Sequence, residues 1–216
     1  MLKFPEKTYC NRKLPKKVFY EHLPMTPKLE RAFVDGIAGI RLRNVLSPDT
    51  MNIAKSEGFA EIGVIEIALK TYPLDEYVLE VVDRVFPFYA LYLIEYKGKY
   101  QAYIGYKEKT AAKAVKASRY FHSERVDFDA LPLSVEGKSV EEIYSNFVVQ
   151  VSGGALAPET PEDLKQAVEH NLEMQKLEEQ IAALAKKIRT EKQFNRQIEL
   201  SNQKRELERL LKEIKK

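Results

Sequence analysis

Cysteine, tryptophan and long apolar runs are nearly or wholly missing from this chain of 216 residues. Its one cysteine, Cys10, excludes an intrachain disulfide framework and a zinc site built from several cysteines. No segment reaches the ~20 apolar residues that a membrane-spanning helix requires, and the first residues lack the apolar stretch of a signal peptide. We therefore expect a cytoplasmic protein without membrane association.

An excess of charge of one sign is also missing, since 35 lysines and arginines stand against 32 aspartates and glutamates. The net charge of +3 is too small to indicate a nucleic-acid binder, and it does not exclude one. The first 25 residues mix lysines with aromatics, which fits either a basic arm that follows phosphates or an extended segment that packs its aromatics on the domain. The second interpretation is favoured, because runs of charge are usually just solvated.

Aromatic residues, proline and glycine almost disappear from the last part of the sequence. Phe194 is the only aromatic residue after Phe147, and neither proline nor glycine occurs from Glu162 onward. This change predicts a globular domain over residues 1–155 and a helical tail over residues 156–216. Thr160 and Pro161 predict the start of the tail helix, as N-cap and first-turn proline.

The stretch from Phe88 to Lys107 predicts the centre of a sheet. Its first run is apolar at odd and even positions alike, which is typical of a strand buried on both faces. Lys97 and Gly98 supply a two-residue turn, in which glycine can adopt the positive φ that such a turn requires. The second run alternates, so one of its faces can meet water or a ligand.

Further strands and helices are predicted around this hairpin. The strands lie near residues 39–44, 60–70 and 118–126, and the helices lie near residues 27–36, 73–85 and 139–151. Residues 107–117 fit either a short helix or a loop. The predicted fold class is α+β, a small mixed sheet with a central antiparallel hairpin and packed helices, followed by a long C-terminal helix with coiled-coil character.

The tail carries two apolar repeats with the spacing of a coiled-coil seam. The positions predicted to pair with a second copy or with a partner helix are Leu177, Ile181, Leu184, Ile188, Asn195, Leu207, Leu211 and Ile214. The phase slips between Ile188 and Leu200, where polar residues fit a register-setting layer of one continuous helix or the bend of a helical hairpin. The continuous helix is favoured, because a reversal normally shows glycine, proline or a turn cluster.

One set of residues resembles the catalytic pattern of metal-dependent nucleases of the restriction-endonuclease-like class, in which carboxylates hold a divalent ion beside a lysine. These residues are Glu61, Glu66 and Lys70. The spacing is unfavourable, because Glu66 and Lys70 lie ~13 Å apart along a strand, against ~7 Å for the Glu-x-Lys pattern. A cross-strand ion pair of Glu66 with Arg41 or Arg43 is therefore the favoured interpretation.

Arg41 and Arg43 share one face of their strand, and with Lys70 they predict a modest basic patch that meets phosphate or an acidic partner surface. Simple solubility explains the same residues equally well. The three histidines lie in different predicted elements and do not form a metal-ligand spacing. Phosphate-loop and serine-nucleophile motifs are missing, and we predict no metal and no cofactor.

Three segments, Lys28 to Ile53, Tyr96 to Lys107 and Glu191 to Ser201, are the most distinctive part of a resemblance that covers nearly the whole chain. They resemble a bacterial and archaeal family of unknown function, the one numbered forty-three ninety-one in the domain-of-unknown-function series. Its members are commonly encoded beside DNA methyltransferases and superfamily-two helicases of restriction and phage-defence loci.

The resemblance implies a non-enzymatic accessory subunit that docks on a larger DNA methyltransferase or helicase subunit through its globular domain and its tail. A homodimer through the tail and a weak contact with nucleic acid stay open. The family supplies no accepted catalytic residues. The alternative is a metal-dependent nuclease, weak or degenerate, that uses Glu61, Glu66 and Lys70.

Overall fold

The computed structural model describes residues 4–22, 26–55, 60–86, 88–107, 117, 119–158 and 163–215. The chain divides into two compact units, Met1–Ala155 and Leu156–Lys216. The first unit contains a six-stranded sheet with helices, and the second is helical, which confirms the predicted α+β class. Within the described ranges, every helix is too short or too polar to cross a membrane.

The strands and helices of the first unit have the following bounds. The strands are β1 (Tyr9–Lys13), β2 (Ile37–Leu46), β3 (Ile62–Leu69), β4 (Tyr89–Tyr96), β5 (Lys99–Tyr106) and β6 (Arg119–His122). The α-helices are α1 (Lys16–His22), α2 (Pro27–Arg31), α3 (Pro48–Met51), α4 (Tyr77–Val85) and α5 (Val140–Val151). A π-helical turn (Ala32–Gly36) continues α2, and 3-10 turns lie at Glu6–Thr8 and Phe128–Ala130.

The six strands lie side by side in the order of the sequence, from β1 to β6. Only β3 and β4 are parallel neighbours, and the remaining neighbours are antiparallel. A parallel pair requires a crossover connection, which α4 provides. The central position of β3 and β4 explains their nearly unbroken apolar runs.

Helices cover both faces of the central strands. On the face that carries Ile67 and Tyr92, side chains of α1, α2 and α4 form one core with the sheet. On the opposite face α5 packs against β5, and its Tyr144 ring lies 4.6 Å from that of Tyr89, measured between centroids. The sheet is therefore a layer between helices.

The predicted hairpin of β4 and β5 is confirmed. Lys97 and Gly98 join the strands with φ angles of 51° and 75°, as a two-residue turn of type I′ requires. The Glu95 carboxylate accepts a hydrogen bond of 2.8 Å from the Gly98 N–H. The six residues Tyr89–Ile94 are all buried, which agrees with a strand covered on both faces.

The N-terminal segment packs on the domain, but it is not extended throughout. β1 pairs antiparallel with β2 as an edge strand, and α1 follows it. Phe19 of α1 is fully buried, with its ring 5.3 Å from that of Phe33. Phe19 therefore packs on the domain as favoured, whereas Tyr9 is 58% exposed. The expectation of an extended segment is corrected, because Phe19 is anchored from a helix.

The second unit is a helical hairpin of α6 (Leu164–Thr190) and α7 (Phe194–Ile214). The helices run antiparallel, since Nε2 of His170 lies 2.9 Å from the Ile214 carbonyl oxygen near their free ends. The predicted helical tail is confirmed, and the expectation of one continuous helix is wrong. The expected helix start at Thr160 and Pro161 lies outside the described residues, as do residues 108–116 of the undecided segment.

The reversal between α6 and α7 is made by side chains rather than by glycine or proline. The Glu191 carboxylate accepts hydrogen bonds from the backbone N–H groups of Lys192 and Gln193, at 2.8 and 2.9 Å. The Gln197 side-chain amide donates to the Glu191 carbonyl oxygen at 2.7 Å. These bonds satisfy backbone groups that helix ends leave free, so the turn is stable without a special backbone residue.

Candidate functional site

Arg41, Arg43 and Glu66 form a charged cluster across the neighbouring strands β2 and β3. The register of β2 and β3 places Arg41 directly opposite Glu66. The Glu66 carboxylate lies 2.7 Å from Nη1 of Arg43 and 3.5 Å from Nε of Arg41. The Arg43 guanidinium also lies 4.3 Å over the ring of Phe128. The favoured interpretation of Glu66 as a cross-strand ion-pair partner is therefore confirmed.

Burial in this cluster increases from Arg41 to Glu66. The Glu66 side chain is 11% exposed, whereas Arg41 is 52% exposed. The Glu66 carboxylate lies between two guanidinium groups, so two positive charges face one negative charge. The cluster therefore presents one net positive charge, mainly through Arg41, and any phosphate would compete with Glu66 for the arginines.

Lys70 has a different neighbourhood from the two arginines. Its Nζ donates a hydrogen bond of 2.6 Å to the Val34 carbonyl oxygen, and Lys16 Nζ donates one of 2.6 Å to the Phe33 carbonyl oxygen. The two lysines thus cap carbonyls of the π-helical turn, where cations are favourable. Burial, and then the nearby Lys70 ammonium, lower the pKa of Lys16.

The three residues of the nuclease alternative are distributed along the whole of β3. Glu61 precedes the strand, Glu66 lies within it and Lys70 follows it. At ~3.3 Å per residue, Glu61 and Lys70 are about 30 Å apart. Glu61 is five positions before Glu66, and along extended backbone an odd offset turns two side chains to opposite faces. Across the described ranges, no group of three or more histidine, cysteine or acidic side chains is arranged to hold a metal ion.

A buried polar network is the part of the domain that the sequence analysis missed. Asp83 of α4 accepts hydrogen bonds from Tyr92 at 2.5 Å, from the Lys107 ammonium at 2.7 Å and from Tyr120. Lys107 Nζ also donates to the Phe88 carbonyl oxygen at 2.8 Å. The network joins α4 to Tyr92 in β4, to Lys107 directly after β5 and to Tyr120 in β6.

Burial governs the protonation of this network. It raises the pKa of Tyr92 well above its usual value, and the adjacent Asp83 carboxylate raises it further. The pKa of Tyr120 is raised by the same two causes in the same order. Both hydroxyls therefore stay protonated and donate to Asp83, which keeps the buried carboxylate satisfied.

One signal in the sequence could have revealed the network. Tyr92 lies in a strand that is apolar on both faces, and a buried tyrosine hydroxyl almost always has a hydrogen-bond partner. Asp83 is the acidic residue inside the otherwise apolar stripe of α4, where Val81 and Val82 are also buried. A search for the partner of Tyr92 would have led to Asp83.

A second polar cluster lies at the margin near the ends of β4, β5 and β6. The rings of Tyr72 and Tyr96 stack with centroids 5.8 Å apart, and the Arg125 guanidinium lies 5.0 Å from the first and 5.5 Å from the second. Gln101 beneath them donates to the Ser123 carbonyl oxygen at 2.8 Å. The guanidinium stacks on both rings, so this arrangement fixes the chain after β6 against the sheet.

The predicted pairing positions of the tail lie in the helical hairpin. Seven of these eight positions carry half-buried side chains. They are Leu177, Ile181, Leu184, Ile188, Leu207, Leu211 and Ile214. Asn195 is exposed at the start of α7 and belongs to the bend rather than to the apolar seam. Leu200 of the same seam is buried, with 6% of its surface exposed.

Comparison with known proteins identifies a family. No curated protein and no solved structure gives a match to the chain. The family model described as a domain of unknown function, DUF4391, matches residues 2–212, which is almost the whole chain and includes both units. The resemblance predicted from the sequence is therefore confirmed, and the chain belongs to the DUF4391 family.

Proposed function

We propose that the protein is a non-catalytic interaction subunit of a DNA-processing assembly, of the restriction or phage-defence type, and that it docks through its helical hairpin on a larger DNA methyltransferase or helicase subunit. The observation that carries the proposal is the half-covered apolar seam of α6 and α7. The resemblance to a family encoded beside such enzymes supports the choice of partner.

The seam is only half covered because two antiparallel helices shield each other on one flank alone. Leu177 of α6 and Leu207 of α7 are half-buried, and Leu210 beside the seam is 37% exposed. Apolar surface removed from water by a further helix stabilises a complex by ~25 cal/mol per Å² before the costs of association. A helix of the larger subunit laid along the seam would complete a small bundle.

The contacts of the candidate catalytic residues support an interaction role over the nuclease alternative. Glu66 is bound by two guanidinium groups, and Lys70 donates to a backbone carbonyl. A carboxylate that holds a divalent ion must direct its oxygens at that ion, and a lysine that orients a water must be free to do so. Both groups are instead used within the fold.

The experiment is co-expression of the tagged full chain with the DNA methyltransferase or helicase subunit encoded beside it, followed by affinity purification. We expect the enzyme subunit to be retained by the wild type and lost with Leu210→Asp. The matched control is Gln203→Asp, which adds the same charge at an exposed position of the same helix and should leave retention intact.

Equal retention by the two variants, or none by the wild type, would contradict the proposal. Sedimentation of the wild type alone tests whether a second copy of the chain, rather than the enzyme subunit, covers the seam. A dimer that Leu210→Asp converts to a monomer would show that a second copy covers the seam instead of the enzyme subunit.

A further inference from the structure

Positive charge is concentrated at the turn end of the helical hairpin. Residues 180–205, here called the hairpin tip, contain seven lysines and arginines against two glutamates, a net charge of +5. The whole chain carries +3, so the other 190 residues together carry −2. The base of the hairpin, residues 163–179 and 206–215, has five basic against eight acidic residues, a net charge of −3.

The charge of the tip comes from side chains rather than from helix dipoles. The C-terminal end of α6 and the N-terminal end of α7 meet there, so their opposed dipoles largely cancel. Five of the seven cations have no carboxylate within ion-pair distance in the part of the chain that the structure describes. They are Lys186, Lys187, Arg189, Lys192 and Arg205, and all five are exposed.

Three of the seven cations of the hairpin tip line one concavity. Lys187, Lys192 and Arg196 line it together with Thr190, and Leu200 closes it from α7. Glu191 also lines it, and the backbone N–H groups of Gln193 and Lys192, which donate to its carboxylate, lower its pKa. The concavity thus contains three cations and one carboxylate, and that carboxylate is turned toward the backbone.

An exposed aromatic ring stands beside the cations. Phe194, the first residue of α7, is 73% exposed, the largest exposure of any large apolar side chain in the described ranges. It stands in a bend that is otherwise polar from Glu191 to Gln197. A basic surface with a free ring is the combination that single-stranded nucleic acid requires, because cations follow phosphates and unpaired bases stack on the ring.

We propose that the hairpin tip binds single-stranded nucleic acid, with Lys187, Lys192 and Arg196 on phosphates and Phe194 under an unpaired base. This goes beyond the proposed function, because it needs no partner subunit and uses the tip rather than the exposed seam. A duplex satisfies the cations but leaves Phe194 without an accessible base. An anionic lipid surface favours a broad apolar helix face, whereas the tip offers only Phe194 and Ile198 as exposed large apolar residues in the described ranges.

The test measures fluorescence anisotropy of a labelled oligothymidine of about 20 nucleotides with the full chain at low salt. The tip variant is the triple change Lys187→Gln, Lys192→Gln and Arg196→Gln. The matched control is Lys176→Gln, Arg209→Gln and Lys212→Gln at the base, which removes the same residue types. It also breaks the same kind of local ion pair, because Arg196 and Arg209 each bind a glutamate on their own helix.

We expect the tip variant to bind at least about tenfold more weakly and the base variant to bind as the wild type does. The slope of log affinity against log salt should fall by about 2 in the tip variant, at ~0.7 for each phosphate that the variant no longer binds. Circular dichroism of both variants verifies that the hairpin is still helical. Equal affinities of a folded tip variant and the wild type would overturn the proposal, as would the absence of binding by the wild type.

Phe194 supplies an independent arm of the test. Phe194→Ala should weaken binding of the oligothymidine by about tenfold, and Phe194→Trp should restore it, because stacking depends on the ring. Neither change should alter binding of a duplex of equal length. Tighter binding of the duplex, unaffected by Phe194→Ala, would overturn the single-strand assignment. Sedimentation with phosphatidylserine vesicles but not with the oligonucleotide would assign the tip to lipid and overturn the proposal.

Discussion

The ammonium of Lys107 and the carboxylate of Asp83 form an ion pair of 2.7 Å inside the domain, and their side chains are only 3% and 6% exposed. Two tyrosine hydroxyls and one backbone carbonyl complete their hydrogen bonding. Removal of one member therefore leaves a buried charge without its partner, which is far more costly than the loss of a surface pair.

We accordingly expect Asp83→Ala to lower the free energy of unfolding by ~3–5 kcal/mol, because Lys107 and the tyrosines lose their shared acceptor. Urea denaturation measures the change. The control is Glu80→Ala on the same helix, whose pair with Arg84 is exposed and should contribute under ~1 kcal/mol. Similar losses of unfolding free energy in both variants would show that the buried network stabilises the domain no more than an exposed ion pair does.

The buried strand β4 gives a second prediction. Ile94→Ala should cost ~2–5 kcal/mol, since Ile94 is buried in the core that α4 shares with the sheet. Val34→Ala, at a position that is 45% exposed, is the surface control and should cost much less. Equal shifts of the urea midpoint in the two variants would place the core elsewhere.

Alkaline pH should destabilise the domain through its buried tyrosines. Burial first, and then the carboxylate of Glu76, raise the pKa of Tyr103 from 10.0 to about 12. The unfolded state therefore loses this proton at lower pH than the folded state, so the stabilisation present below pH 10 is lost as the pH rises toward 12.

Thermal unfolding followed between neutral pH and pH 11 measures this loss. We expect Tyr103→Phe, which removes the titrating hydroxyl, to reduce the alkaline fall in melting temperature. Tyr9→Phe, at a position that is 58% exposed, serves as the control and should retain the wild-type fall. A Tyr103→Phe curve parallel to the wild type would contradict the assignment.

Glu66 yields a prediction on nucleic acid and on catalysis together. Glu66→Gln leaves Arg41 and Arg43 without their carboxylate, so we expect stronger retention on a DNA column at low salt. Plasmid incubated with magnesium should stay uncleaved by the wild type and by the variant. Glu124→Gln, at an exposed site, controls for the loss of one negative charge. Cleavage by the wild type that Glu66→Gln abolishes would instead establish the nuclease.

Local features of the sequence predicted the fold, and contacts remote in sequence account for what was missed. The turn at Lys97 and Gly98 is encoded by two adjacent residues, and the uniform apolar run of β4 shows its burial directly. The pairing of β1 with β2 joins residues about 30 positions apart in the sequence, for example Lys13 with Arg41, and no short pattern encodes it. Such pairings depend on the packed domain as a whole.

The candidate site was likewise predictable only where local patterns encode it. The Arg41 and Glu66 pair followed from the alternation of two strands that were both recognised. Asp83 was missed because helical spacing describes one helix at a time, whereas its three donors come from other elements of the fold. The bend at Glu191 was missed because side-chain hydrogen bonds form it, and the expected signal was a glycine or a proline.

The sequential order of the six strands has a consequence for how the chain is made. Each strand from β2 onward finds its neighbour among residues that have already left the ribosome, so the sheet can grow one strand at a time during synthesis. Short chain closures are fast, because little conformational entropy is lost before the contacts form. The first unit can therefore be complete before α7 emerges, so the hairpin of α6 and α7 forms after it.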